Sequence, residues 1–559
     1  MSRRQTGLKV KTPVLHRSAL IAIIATGMTG PTRSDPAIRP DALSQTVKAL
    51  ASDSFAGRAP GTIGETRTVH YLIHRFEALG MKPGGVNGAW TQPVSLVHTR
   101  VEAPLSLEVT GLGAPISYQQ AQDLYVTTLQ PVRSVAITSA PLVFVGYGVT
   151  ASTRGRDDYK GTNLEGKIAV ILMGLPPPLL NNNAPAQKST QTVRWTYKFD
   201  EAARHGAVGA ILIHETPAAG IDWSTAVGAQ GEGYDLVRPD DRTRSLAVRA
   251  LLRKDAAVTL FRRAGMDFDA LKTAAARSDF KPVELARARF QARFPVAFET
   301  VRTNNVLARW PGAARPDETV MISAHWDAFG VGAPDETGQT IRRGANDDAL
   351  GVAGVLEIAR AFSEAPAPRR SVVFALWTAE ERGLLGSEAY GLHPVYPLEK
   401  TVADLNIDIL QTAGLARDVI LVGAGEDSLD GDLARAAQTQ GRRVSPDPHP
   451  ERGIYYRSDH FNLAKRGVPS LVLLGLADGP DLVEGGKAAG DRWLTHYVSR
   501  CYHKPCDAWS AAWDLRGAAQ DLDLLAQIAR DLANSTAWPT WSPESELQSA
   551  RSATDDRRR

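Results

Sequence analysis

Three phrases in the stretch Met321–Tyr390 decide how the chain is read: MISAHWDAFG (321–330), GANDDALGVAGVLEIARAF (344–362) and SVVFALWTAEERGLLGSEAY (371–390). An apolar run ends at His325-Trp326-Asp327. The pair Asp347-Asp348 follows a glycine turn and opens an amphipathic helical pattern. The pair Glu380-Glu381 sits just past a second apolar run. Histidine and carboxylates thus gather where predicted strands stop, and open α/β sheets bind ligands outside the carboxyl ends of their strands. Oxygen and imidazole donors without thiolate suit zinc or a related divalent ion.

Working outward, strands are predicted at Asn305–Arg309, Thr319–Ser323, Ser371–Trp377, Val402–Ile407, Asp418–Val422 and Ser470–Leu474. Helices are predicted at Ala349–Phe362, Leu384–Gly391, Leu429–Gln440 and Arg516–Asn534. This alternation predicts an α/β fold with one mixed, largely parallel sheet sandwiched by helices. Upstream, Pro40–Leu79 reads as two helices, the first capped by Asp41 and the second ending at Gly80, around the glycine-rich loop SDSFAGRAPGTIGE (52–65). Ala89–Thr128 reads as irregular β structure.

Between 134 and 299 the pattern changes. Pro141–Gly146, Lys167–Leu172 and Val208–His214 are short apolar strands, with a polar helix at Lys198–His205 and an exposed loop at Asn181-Asn182-Asn183. His205 and His214 stand alone, and no histidines and acids cluster here, so the segment reads as a non-catalytic insert. The expected organisation is a leader over 1–36, peptidase-domain elements and connecting strands over 37–133, the β-rich insert over 134–299, the catalytic domain over 300–540 and a solvated tail over 541–559.

The chain has 559 residues, more than one domain by the usual size range. Its 43% hydrophobic and 22% charged content is that of a folded globular protein. A net charge of +3 gives no reason to expect nucleic acid or an acidic membrane as partner. Arg3, Arg4, Lys9, Lys11 and Arg17 precede the apolar run Ala19–Ala25 and then small residues. That order predicts an export signal and a periplasmic or extracellular protein; a disordered tail is the plainer reading. No segment is long enough to insert stably in a bilayer. Cys501 and Cys506 either close a small disulfide loop or remain two thiols.

Read one at a time, the polar residues have ordinary explanations. His325 is a strand-end histidine, with Asp327 pointing the same way two residues on. Aspartate at 347–348 could cap a helix. Glu380 and Glu381 could be surface acids, although the apolar run before them argues otherwise. Asp408, inside the apolar ADLNIDIL (403–410), would be an expensive unpaired core charge without a cation. His460 and His503 each offer a second imidazole.

Together, SAHWDAFG, GANDDALG, TAEERGLLGS, LNIDIL, YYRSDHFNLAKRGVPS and CYHKPCD resemble the M28 family of co-catalytic zinc exopeptidases, which includes bacterial secreted aminopeptidases. The match covers about 304–534, and the loop 52–65 also resembles the leader of such enzymes. DDYKGTNLEGKIAVIL and EAARHGAVGAILI resemble, more loosely, a protease-associated domain. The resemblance implies two zinc ions and peptide substrates. His325 and Asp408 would hold one ion, Glu381 and His503 the other, and Asp347 would bridge them. Asp327 would orient His325, Glu380 would be the general base, and Tyr502 would stabilise the oxyanion. His503, not His460, would be the last ligand. Asp459 and His460 would help shape the wall of the substrate site. Tyr455 and Tyr456 either line a side-chain pocket or pack in the core, and the sequence leaves both readings open. Leu350 departs from relatives, which carry serine or glycine there, but it is not a ligand position. The expected activity is removal of N-terminal residues; a carboxypeptidase, a one-zinc glutaminyl-cyclase-like enzyme and a non-catalytic binding protein are the alternatives.

Overall fold

The computed structural model describes residues 38–151, 155–176, 191–228, 231–238 and 246–552. The expected leader, the Asn181–Asn183 loop and the last residues of the tail lie outside them. The fold is mixed α/β. Its largest sheet runs in the order Ser470–Leu474, Thr401–Asp408, Arg315–His325, Arg370–Trp377, Val283–Trp310, Ser134–Phe144, Ile168–Leu172, Gly209–His214, Val248–Arg253 and Leu124–Thr127. The first four strands are mutually parallel. Val283–Trp310 then joins Arg370–Trp377 in antiparallel fashion.

Alternation along the parallel strands explains the two helical layers, because successive side chains leave opposite faces. Val320, Ile322, Ala324, Val372, Phe374 and Leu376 share a core with helices Pro40–Leu50, Ile63–Ala78, Leu350–Ser363 and Arg516–Asn534. Met321, Val373, Ala375 and Trp377 face the other way, against Tyr390, Leu463 and Val468. Every residue from Leu350 to Phe362 is buried, as a helix enclosed on all sides must be. Burying that whole surface at roughly 25 cal/mol per Å² of apolar area makes this helix a large contributor to stability.

Val283–Trp310 is one strand of 28 residues. Its early part pairs with Ser134–Phe144, its middle with Thr91–Val101 and its end with Arg370–Trp377. The segment 134–299 holds three adjacent parallel strands, Ile168–Leu172, Gly209–His214 and Val248–Arg253. It also holds helices Trp195–Arg204, Lys254–Arg263 and Phe268–Ala275, more helix than the alternating apolar runs suggested.

Three local expectations need correction. Asp418–Leu421 is a strand but lies outside the main sheet; it pairs in parallel with Arg443–Pro446, a strand too short and polar to stand out. The first helix is not capped by Asp41. Arg39 occupies the cap without a side-chain capping bond, Pro40 takes the first helical position and Asp41 sits in the first turn, where its charge favours the helix dipole. The second helix starts at Ile63, where the Thr62 side chain accepts from the Gly64 N–H. Within the loop 52–65 the chain forms the short helix Asp53–Arg58.

Candidate metal centre

Three neighbouring parallel strands deliver the site. Arg315–His325 ends on His325, Thr401–Asp408 ends on Asp408, and Arg370–Trp377 ends three residues before Glu380. Non-glycine residues with left-handed backbone surround this edge: Ala379 (φ 52°), Leu384 (φ 63°), Ile409 (φ 56°) and His503 (φ 62°). Such conformations persist only where the surroundings over-determine them, and they cluster at functional sites.

Two groups of donor atoms meet there. His325, Asp347 and Asp408 form one; Asp347, Glu381 and His503 form the other, and within each group the atoms lie within 4.8 Å of one another. Asp347 belongs to both. His325 Nε2 is 3.1 Å from Asp347 Oδ1 and 3.9 Å from Asp408 Oδ1. His503 Nε2 is 3.3 Å from Asp347 Oδ2 and 3.2 Å from Glu381 Oε2. Ligand bonds of about 2.0–2.2 Å place the donors of one tetrahedral zinc roughly 3.3 Å apart, so the arrangement fits such ions.

Electrostatics point the same way. Burial raises the pKa of Glu380, Glu381 and Asp408, and neighbouring carboxylates raise them further. Asp408 reaches about 6. Burial acts upward on Asp347 as well, but its bonds to His325 and His503 outweigh it and hold that carboxyl below the usual range. Carboxylates this close and this buried resist ionising together, and a bound cation relieves exactly that repulsion.

The surrounding residues fix the donors. His325 Nδ1 is 3.2 Å from the Asp327 carbonyl and 3.5 Å from its Oδ1. The same Oδ1 accepts from the Glu380 N–H at 3.0 Å, so Asp327 holds both the histidine and the turn carrying the glutamates. Glu380 belongs to neither donor group, yet its Oε2 is 3.9 Å from His325 Nε2. Asp348 points away from the donors: it accepts from the N–H groups of His325 and Gly351, at 3.3 and 2.8 Å. Gly351 is required for that contact, because a Cβ there would meet the Asp348 carboxylate at 2.2 Å. Tyr502 lies half-buried with its ring centroid 3.6 Å from that of His503. Burial and then Asp347 raise its pKa, so the phenol keeps its proton and can donate.

Of the residues expected to line the substrate site, Asp459 is buried and hydrogen-bonded by the Ser387 hydroxyl at 2.5 Å. Burial raises its pKa to about 8, and Asp327 and Asp408 add to that. His460 is fully buried, lies 4.8 Å from the Tyr455 ring and is in neither donor group. Tyr455 and Tyr456 are core residues and not the walls of an open pocket. They are 4% and 1% exposed, and the Tyr456 hydroxyl donates to Glu546 at 3.0 Å.

Two residues that sequence reasoning passed over support the centre. Asp507, the aspartate closing the phrase CYHKPCD, accepts from the Asn346 and Asp347 N–H groups at 2.9 and 3.1 Å. Arg58, the arginine of the glycine-rich loop, is wholly buried. It donates to the carbonyls of Trp326, Leu50, Arg343 and Gly344 at 2.6–3.1 Å. An arginine amid glycine and proline was the available signal for the second. Cys501 and Cys506 form a disulfide around Tyr502 and His503.

Residues 305–527 match the model of "Peptidase family M28". The chain is 25% identical over 475 residues to an aminopeptidase of Pseudomonas aeruginosa strain UCBPP-PA14, covering 83% of this chain and 75% of that one. It is 29% identical over 209 residues to leupeptin-inactivating enzyme 1 of Streptomyces exfoliatus, covering 36% of this chain and 43% of that protein. Among solved structures, the aminopeptidase from Aneurinibacillus sp. strain AM-1 superposes with a TM-score of 0.51 at 20% identity. The match covers 90% of this chain and 95% of that one, and at this identity it shows a common fold.

Proposed function

Given that residues 305–527 belong to peptidase family M28, we propose that this metallopeptidase is an exported aminopeptidase with two zinc ions and Glu380 as general base. One observation carries the reading: two donor groups share Asp347 while Glu380 stands beside them and joins neither. His325, Asp347 and Asp408 would hold one ion, and Asp347, Glu381 and His503 the other. Bound there, divalent ions would polarise the scissile carbonyl and acidify a water.

The protein's own groups do the rest. Glu380, half-buried beside the donors, takes a proton from the attacking water and passes it to the leaving amine. The Tyr502 hydroxyl donates toward the developing oxyanion. Asp327 keeps His325 in place and, through the Glu380 N–H, sets the position of the base. Aminopeptidase action is supported by the Pseudomonas relative, which aligns over most of both chains. Export is supported by the order of basic, apolar and small residues at the start and by the Cys501–Cys506 disulfide, which suits an oxidising compartment. No helix of the described residues is long and apolar enough to cross a membrane.

Elemental analysis of the purified protein, before and after chelation, tests the metal content; about two ions per chain are expected, and full activity with one or none contradicts the reading. Cleavage of a short peptide beside its N-acetylated and C-amidated forms tests direction. An aminopeptidase loses the acetylated substrate and keeps the amidated one.

A further inference from the structure

Two arginines stand beside the centre with no carboxylate in ion-pair contact among the described residues. Arg194, at the start of helix Trp195–Arg204, lies with its guanidinium 4.7 Å from the Phe461 ring. Asp200, Glu388 and Glu380 act on its charge from a distance, in that order, and Arg457 opposes them. Arg457 precedes Ser458, whose hydroxyl is bonded by Asn406 at 2.7 Å and reaches Asp408. Arg457 is also within reach of Tyr502, and its guanidinium donates to the Ala219 carbonyl at 2.9 Å.

Both side chains are half-buried, and among the described residues neither guanidinium is ion-paired with a carboxylate. The nearby Glu388 is already held by Lys465 and Arg466. Burial lowers the pKa of both, Arg194 to about 10, and a guanidinium in a protein keeps its charge at neutral pH. Two like charges drawn partly out of water with no carboxylate in contact are unfavourable. An anionic occupant removes that penalty, and the planar fork of a guanidinium matches a carboxylate in two-point contact. Both are tied to the segment 457–461, Arg457 as its first residue and Arg194 over the Phe461 ring, and Asn406, two residues before the donor Asp408, bonds that segment through Ser458.

We propose that Arg194 and Arg457 form a carboxylate-binding subsite that makes the centre favour peptides with a carboxylate within about one residue of the scissile bond. The proposal rests on the peptidase reading. The carboxylate is either an acidic side chain or the free terminus of a dipeptide. Arg194 belongs to the segment 134–299, which thereby takes part in substrate choice.

The test uses kcat/KM of the metal-replete enzyme on two matched pairs: Leu-Glu amide against Leu-Gln amide, and Leu-Gly against Leu-Gly amide. A charge-assisted hydrogen bond of the usual strength predicts a preference of about tenfold or more for the carboxylate member of one pair. The first pair reports a side chain and the second a terminus. In Arg194→Gln, Arg457→Gln and the double variant, the ratio should fall stepwise toward one, and Arg194→Lys should retain part of it. The single variants keep the test open if the double variant folds poorly. Equal rates within both pairs for the wild type, or a preference that survives both substitutions, overturns the subsite while leaving the peptidase reading intact. Failure to cleave any of the four peptides overturns the peptidase reading and the subsite with it.

Discussion

The Asp507 carboxylate holds the backbone of Asp347: Oδ2 accepts from the Asp347 N–H at 3.1 Å, while Oδ1 takes the preceding N–H of Asn346. A residue with no donor atom in either group thus sets where the shared carboxylate stands. Asp507→Asn preserves shape but turns one accepting oxygen into a donor facing an N–H. Metal affinity and kcat should each fall by roughly 10–100-fold, as for other groups that orient ligands. Zinc titration followed by competition with a chelator measures the first, and steady-state kinetics the second.

The adjacent acids Asp347 and Asp348 should respond differently. Asp347 faces both donor groups, whereas Asp348 ties the end of the His325 strand to the following helix. Asp347→Asn should cost most of the bound metal. Asp348→Asn should cost mainly stability, on the order of 1–3 kcal/mol for a buried acceptor lost. Metal content and a denaturant midpoint for the two variants, side by side, check this; equal metal loss would contradict it.

Glu380→Gln keeps size and hydrogen-bonding shape but cannot accept a proton. Fold and metal should survive while kcat drops about 10²–10⁴-fold, with KM changed much less. Glu381→Gln should lose metal first, because Glu381 is a donor and Glu380 is not. Retention of near-normal kcat by Glu380→Gln would remove it from the role of base.

His503→Ala should sharply weaken metal binding, because one ion keeps only two of its protein donors. His460→Ala instead removes a fully buried ring packed on Tyr455. It should leave metal bound and lower the thermal midpoint. The opposite pattern would mean that the fifth donor is misassigned.

Arg58→Met tests the buried arginine. It removes donors from four carbonyls, each worth roughly 1–3 kcal/mol when left unmet. Expected is a stability loss of about 3 kcal/mol or more in chemical denaturation, with lower metal occupancy because Trp326 and Gly344 flank the donor segments. Unchanged stability would show that water satisfies those carbonyls instead.

Part of the centre was legible in the sequence because several donors sit at or just past the end of a recognisable apolar run, so chain position reports spatial position. His325, Asp408 and the glutamates are of this kind. Asp507 and Arg58 were not, since their work is done mostly on backbone groups far away in the chain and leaves no periodic trace. For Tyr455 and Tyr456 the sequence left pocket wall and core packing equally open, and burial decides for the core: a tyrosine beside a site motif looks accessible until packing buries it. The alternation of elements sufficed for the parallel strands, whose faces are both covered. It failed for Asp418–Leu421, because a strand's own sequence does not name its partner.

The continuity of Val283–Trp310 has a mechanical corollary. No exposed linker joins the segment before residue 299 to the one after it; the junction is strand, paired with Thr91–Val101. Proteases nick loop tips more readily than ladders, so limited digestion should not separate the two at this point. Insertion of a single residue there would throw the register: every side chain beyond it would turn over, taking Val306 and Ala308 out of the core they share with the helices. The segment that carries Arg194 is therefore not an exchangeable cassette but one end of a rod whose other end is built into the catalytic sheet.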